Sequence, residues 1–302
     1  MDDELIEFKE VSKSFGKNVV FESVSFVIPE GKITGIIGAS GEGKSTILKM
    51  IAGFYQPDKG KIYYRKREIK KDMSTIYRIF GLAIEDGSFY EKLSVEENLF
   101  HFGKLYGVEK KILKDRIKEL LGLVGLENAK NTLAENLSVG MKKRLDLACS
   151  LVHNPAVVVL DEPTADLDPL LRKHMIDLIK NINSRGTTVI LTTQLLEEAE
   201  DICEKVLILF NEKIVEGDKP SLITKKYSCS NLNEVFNKIF TSRDRKTYQE
   251  SNKEKTVVEP LKKTNIKTLS YSKEELDKLI ETASKKSDSV LEEIRGLKNN
   301  GN

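Results

Sequence analysis

At 302 residues, of which 39% are hydrophobic and 32% charged, the chain can bury the core of one large domain or two small ones. Its 49 Lys and Arg nearly cancel 47 Asp and Glu, and a formal charge of +2 gives no overall field to attract nucleic acid or an anionic bilayer. Nucleic acid is therefore not an expected partner. No run approaches the roughly 20 apolar residues of a membrane span, and the opening Met-Asp-Asp-Glu lacks the basic-then-apolar order of a secretory signal. Cys149, Cys203 and Cys229 are far apart and form no metal-spaced cluster, so a reducing compartment is expected rather than a disulfide scaffold. Any membrane role then has to run through a partner.

In chain order, Leu5–Phe8 and Ser23–Ile28 alternate apolar and polar residues and read as short strands. Ile33–Ile37 is a continuous β-branched run that stops at a glycine-rich loop, and Thr46–Ala52 continues with helical periodicity. Gly60–Tyr64 is a further short strand. From about Ser94 to Leu151 the pattern is helical, with Leu113, Ile117, Leu120, Leu121 and Val124 on one face. Ala156–Leu160 and Val189–Thr193 return to buried-strand composition, with helical segments between and after them. Strands alternating with helices predict a mostly parallel sheet covered on both faces. There is no internal repeat. Residues Arg243 to Thr268 are polar and read as a linker, and Ser272 with Glu275 forms a capping-box pattern announcing a final helix.

The loop after the Ile33–Ile37 run is Gly38-Ala39-Ser40-Gly41-Glu42-Gly43-Lys44-Ser45-Thr46, which fits G-x-x-x-x-G-K-S. Its glycines let backbone N–H groups reach phosphate oxygens, and the following helix aims its positive end at the same anion. Lys44 can neutralise the β and γ phosphates of ATP, and Ser45 can ligate Mg²⁺. Val157–Leu160 is an apolar strand that ends in Asp161 and Glu162. At the carboxyl edge of a parallel strand, Asp161 suits holding Mg²⁺ through water, and Glu162 suits polarising the attacking water as general base.

A third segment, Leu137-Ser138-Val139-Gly140-Met141-Lys142-Lys143-Arg144-Leu145, resembles the signature sequence of ATP-binding cassette (ABC) proteins. With the other two motifs in order, the chain looks like the ATP-binding subunit of an ABC transporter, a resemblance covering roughly Leu5 to Phe240. It implies an α/β fold: a P-loop NTPase core with a small antiparallel β subdomain and an inserted α-helical subdomain, plus a C-terminal helical extension. The expected layout is 1–240 for the ATP-binding domain, its helical part about 88–152, then a linker 241–271 and an amphipathic helix 272–299. The family reading assigns Ser138 and Gly140 to the ATP site of the opposite subunit in a head-to-tail dimer. The plain alternative is a helix N-cap by Ser138. Phe15 matches the aromatic that stacks on adenine, against the alternative of a core aromatic. Ala165-Asp166-Leu167-Asp168 matches a loop crossing the dimer interface, against a surface turn that caps the next helix.

Two positions depart from the family. Glu85 stands where Gln is common, at a place that touches Mg²⁺ or the attacking water and adjoins the docking region of the membrane partner; glutamate keeps an oxygen ligand. Gln194 stands where a histidine usually contacts the γ-phosphate, and none of His101, His153 and His174 aligns there. A glutamine can donate a hydrogen bond but carries no charge, so slow hydrolysis is expected. Leu232-Asn233-Glu234-Val235-Phe236 is similar to a stretch near the end of exporter-type subunits. The implied protein is thus the ATPase of an exporter. It is held at the cytoplasmic face of the membrane by a separate polytopic permease subunit and paired with itself or a homologous ATP-binding subunit. Two other readings are a soluble ABC ATPase acting on ribosomes or DNA, and a module that uses ATP only to dimerise. In the final helix, Leu276, Ala283, Val290 and Leu297 recur at heptad spacing with Ile280 and Ile294 on the adjoining position, a stripe expected to meet a second subunit.

Overall fold

A computed structural model of the protein describes residues 4–69, 78–83 and 87–241. The chain divides into two compact units, Met1–Asn237 and Lys238–Asn302; of the second, only residues 238–241 are described. Glu85, the expected helix 272–299 and all but the first residue of the expected linker lie outside the described residues.

Strands β1 (Glu4–Phe15) and β2 (Asn18–Pro29) are each 12 residues long and pair antiparallel, well beyond the short segments that alternation predicts. The reason is a pair of bulges. Glu10 and Ser23 sit at φ of 50° and 51°, and each bulge moves the following residues to the other phase of the pleat. Two serines satisfy the displaced backbone: Ser25 Oγ accepts from Glu10 N at 2.8 Å, and Ser12 Oγ accepts from Ser23 N at 2.9 Å. With β4 (Lys59–Tyr64) and β5 (Arg67–Glu68) the hairpin makes a four-stranded antiparallel sheet in the order β2-β1-β4-β5.

The second sheet has six strands. Strand β3 (Ile33–Ile37) leads into helix α1 (Lys44–Ile51), and β6 (Phe80–Ala83) follows β5. Helices α2 (Val95–Leu105), α3 (Lys110–Val124) and α4 (Val139–Leu151) come before β7 (Val157–Leu160), so a helical layer is inserted between neighbouring strands. Helix α5 (Pro169–Ser184), β8 (Thr188–Thr193), α6 (Leu196–Ile202), β9 (Lys205–Phe210), β10 (Lys213–Asp218), α7 (Pro220–Lys226) and α8 (Leu232–Thr241) complete the described chain. Thr241 closes α8, so the polar segment expected from 241 starts at least one residue later. The strand order is β10-β9-β3-β8-β7-β6, all parallel except β10. Strands β3, β7 and β8 are buried along their whole length, as expected of strands covered on both faces.

One apolar core joins both sheets to α1, with Phe8, Phe21, Ile36, Ile47, Met50 and Phe80 fully or almost fully buried. Phe8 and Phe26 stack with ring centroids 4.3 Å apart. In the helical layer, α3 buries Leu113, Ile117, Leu120, Leu121 and Val124, the five residues its periodicity predicts. Helix α2 starts with a reciprocal capping box between Ser94 and Glu97. Arg144 on α4 donates to Val124 O at 3.0 Å, tying the end of α3 to α4. This α/β core with an antiparallel sheet and an inserted helical layer is the P-loop architecture expected from the sequence.

Candidate functional site

The parallel order sets β8 between β3 and β7, with β6 beyond β7. Every segment that follows these four strands therefore emerges at one carboxyl edge, where ligands of open α/β sheets bind. The loop 38–43 follows β3, Asp161-Glu162 follows β7, and Gln194 follows β8. The register Leu160↔Leu191 brings Asp161 beside Thr192 one step later.

Close approach shapes the loop. A Cβ on Gly38 would lie 2.6 Å from the carbonyl oxygen of Leu209 in β9, so no side chain fits. Gly43 has φ 98° and serves as the N-cap of α1 with no side-chain cap, and the first turn of α1 holds no acid. The N–H groups at that end are consequently left for an anion. The Lys44 side chain is almost fully buried, and its Nζ donates to Gly38 O at 3.0 Å and Ala39 O at 3.1 Å. It also lies 3.6 Å from Glu162 Oε1. Loop cation and strand-end acid are thus neighbours.

Ser45 Oγ donates to Asp161 Oδ1 at 3.1 Å, and Thr192 Oγ1 donates to the same oxygen at 2.6 Å. Thr192 Oγ1 in turn accepts from Glu162 N at 2.9 Å. Glu162 has φ 48°, a left-handed conformation that a Glu holds only when its surroundings fix it. Lys143 Nζ, from α4, donates to Glu162 O at 3.4 Å. Among the described residues no group of His, Cys, Asp and Glu forms a metal site by itself. A hydroxyl and a carboxylate 3.1 Å apart are hard oxygen donors, and they fit an ion that takes its other ligands from water and phosphate.

Other expected residues lie apart from this cluster. Phe15 is 44% exposed and meets Tyr55 edge-on at 5.1 Å, so it is not a core aromatic. Ser138 is exposed and caps α4, accepting from Met141 N at 3.3 Å. Gly140 is buried against Leu171. Among the described residues neither Ser138 nor Gly140 bonds to the phosphate loop of its own chain. Asp168 caps α5, accepting from Leu170 N and Leu171 N at 2.9 and 3.0 Å, and leaves Leu170 63% exposed. Gln194 is exposed at the end of β8. Thr192 and Lys143 are additions to the expected set; only the strand register and the packing of α4 reveal them. Asp146 of α4 accepts from Ser88 N at 2.8 Å, and burial pushes its carboxyl up to about 7.

Comparison with known proteins gives the same assignment. The family model described as ABC transporter matches residues 21–165. The linearmycin resistance ATP-binding protein LnrL of Bacillus subtilis (strain 168) is 32% identical over 240 residues, 77% of this chain and 77% of that protein. The Nod factor export ATP-binding protein I of Rhizobium sp. (strain N33) is 34% identical over 232 residues, covering 76% of each. Among solved structures, an ATP-binding subunit of an ABC transporter aligns with TM-score 0.72 and 28% identity, covering 78% of this chain and 100% of that one. A dimeric ATP-binding cassette in a post-hydrolysis state bound to ADP and Pi aligns with TM-score 0.65 and 25% identity, covering 71% and 98%. The chain belongs to the ABC transporter ATP-binding family and is an ATPase.

Proposed function

We propose that this chain is the ATP-hydrolysing subunit of an exporter, working on a separate membrane-spanning partner and sandwiching ATP between two subunits. The observation that carries the reading is the cluster of Lys44, Ser45, Asp161 and Glu162 at one sheet edge. In it, the α1 N-terminus and Lys44 hold the phosphates, Phe15 stacks on the adenine, and Ser138 and Gly140 complete the site of the opposite copy. Residues 38 to 46 supply the phosphate cradle, including the backbone of Ala39, Ser40, Gly41 and Glu42. Glu162 takes the proton of the attacking water, and Gln194 donates a hydrogen bond toward the γ-phosphate. Ser45 and Asp161, with Glu85, would hold Mg²⁺, which would supply neutralisation of the phosphate charge.

Export is supported by the name of the Nod factor export relative and by the exporter-like Leu232–Phe236. Among the described residues no helix is long and apolar enough to cross a membrane, so a polytopic partner would hold the chain at the cytoplasmic face. The surface best suited to it is a groove of about 140 Å³ lined by Phe54, Leu82, Ser88, Phe102, Tyr106 and Cys149. Phe54 is 55% exposed at its mouth, and Ser88 links the groove to Asp146. A short apolar helix of the partner would seat there.

Detergent extraction of membranes containing the tagged full-length chain tests this. A polytopic membrane protein should co-purify in stoichiometric amount, and Phe54→Asp should release it while hydrolysis by the isolated subunit stays within about twofold. Recovery of the natural chain from membranes of its own cells without such a protein would overturn the proposal.

A further inference from the structure

We infer that Glu198 is a positioning residue for hydrolysis, holding the turn after Glu162 and the strand end before Gln194 in a fixed relation. The inference rests on the proposed roles of Glu162 and Gln194.

Glu198 lies in α6 and is only 7% exposed. A carboxylate so buried is retained only if its oxygens are met by donors and opposite charge. Its Oε2 accepts from two hydroxyls: Thr164 Oγ1 at 2.6 Å and Thr193 Oγ1 at 3.2 Å. Its Oε1 stands 3.3 Å from Arg172 Nε of α5, an ion pair whose angles do not make a hydrogen bond. Arg172 Nη2 also donates to Leu167 O at 3.3 Å, in the loop 165–168.

Thr164 and Thr193 each stand close in sequence to a residue with a proposed role in hydrolysis. Thr164 is two residues after Glu162, inside a turn closed by Ala165 N to Glu162 O at 3.1 Å and Leu167 N to Thr164 O at 3.3 Å. That turn begins at the left-handed φ of Glu162, a conformation its surroundings must hold. Thr193 directly precedes Gln194, and its hydroxyl accepts from Leu195 N at 3.0 Å, bracketing Gln194 in a pinned turn. One buried carboxylate therefore ties together the approach to the base and the residue facing the γ-phosphate through Oε2 and, through Oε1 and Arg172, the loop 165–168. The phosphate loop 38–46 meets this turn at Glu162, through Lys44 at 3.6 Å, while its Lys44 and Ser45 side chains bond to Gly38, Ala39 and Asp161 rather than to Glu198, Thr164, Thr193 or Arg172. Loosening the network should accordingly harm turnover and spare nucleotide affinity.

The test is kcat and KM for Mg-ATP in the full chain carrying Thr164→Val, Thr193→Val, both together, and Glu198→Gln, each against its parent. Serine at 164 or 193 restores the hydroxyl and serves as the rescue. We expect each Val variant to lose about tenfold or more in kcat, since small misplacements near reacting groups carry large rate penalties. KM should stay within about twofold, Ser should recover kcat to within about twofold, and the double variant should be no slower than the slower single. Glu198→Gln should match the Val variants; if it does not fold, the threonine series decides. Val variants with the parental kcat, or Ser variants as slow as Val, would overturn the inference. Glu162→Gln is run alongside. If it turns over at the parental rate, the assignment of the base fails. If it is slow while the Val variants are normal, only the inference about Glu198 fails.

Discussion

Lys44 illustrates how little freedom the site leaves a charged group. Its ammonium is almost fully buried, bonded to two loop carbonyls and 3.6 Å from the Glu162 carboxylate. A buried cation held over backbone oxygens is already positioned for an anion, and a charge-assisted bond to phosphate contributes about 1.5–3 kcal/mol. Lys44→Ala should therefore weaken nucleotide binding by about tenfold or more, read by titration with a fluorescent ATP analogue. Undiminished affinity would remove Lys44 from phosphate binding. Gln194 sits exposed at the next strand end, where an amide can donate but adds no positive charge. Gln194→His should keep ATP affinity and raise turnover, or leave both unchanged, in a phosphate-release assay. A large loss would mean that the site is adapted to glutamine.

The helical elements and the phosphate loop were legible in the sequence because periodicity and glycine spacing report backbone geometry directly. The five buried residues of α3 are the predicted ones. The outer arms of β1 and β2 were not legible, since the bulges at Glu10 and Ser23 reverse the phase of alternation mid-strand. The β9–β10 hairpin escaped for a different reason. Asn211 and Glu212 turn it with φ of 48° and 62°, a turn usually signalled by glycine. In the site, the motif residues were readable, whereas Thr192 and Glu198 gain meaning only from strand register and burial.

The junction of α4 with the segment after β6 carries a titratable device of its own. Asp146, raised from 3.8 to about 7 mainly by burial, accepts from Ser88 N and has Lys143 as its nearby cation. An acid with a raised folded pKa keeps a proton that the unfolded chain has released, so its contribution is full below about pH 4 and is lost as pH rises toward 7. Asp146→Asn keeps an acceptor for Ser88 and removes the charge. It should raise the thermal midpoint over the parent at pH 8, with the difference shrinking toward pH 5. His153, held down to about 4 by burial, acts with the opposite sign, so the comparison is made at each pH between variant and parent. An equal difference at both pH values would contradict the assignment.

Across the molecule, one sheet edge gathers the loop cation, the acids and Gln194, while Ser138 and Leu170 remain exposed. A site whose signature serine, Ser138, is exposed is suited to completion by a second copy. We propose that the stripe Leu276 to Leu297 adds to that pairing. Removing residues 242–302 should preserve ATP binding and weaken dimerisation, measured by sedimentation; equal dimer affinity would leave the stripe without this role. The role of Glu162 is decided by steady-state turnover of Glu162→Gln at saturating Mg-ATP. If Glu162 is the base, turnover falls by about 100-fold or more while ATP stays bound in an accumulated dimer; turnover at the parental rate would contradict it.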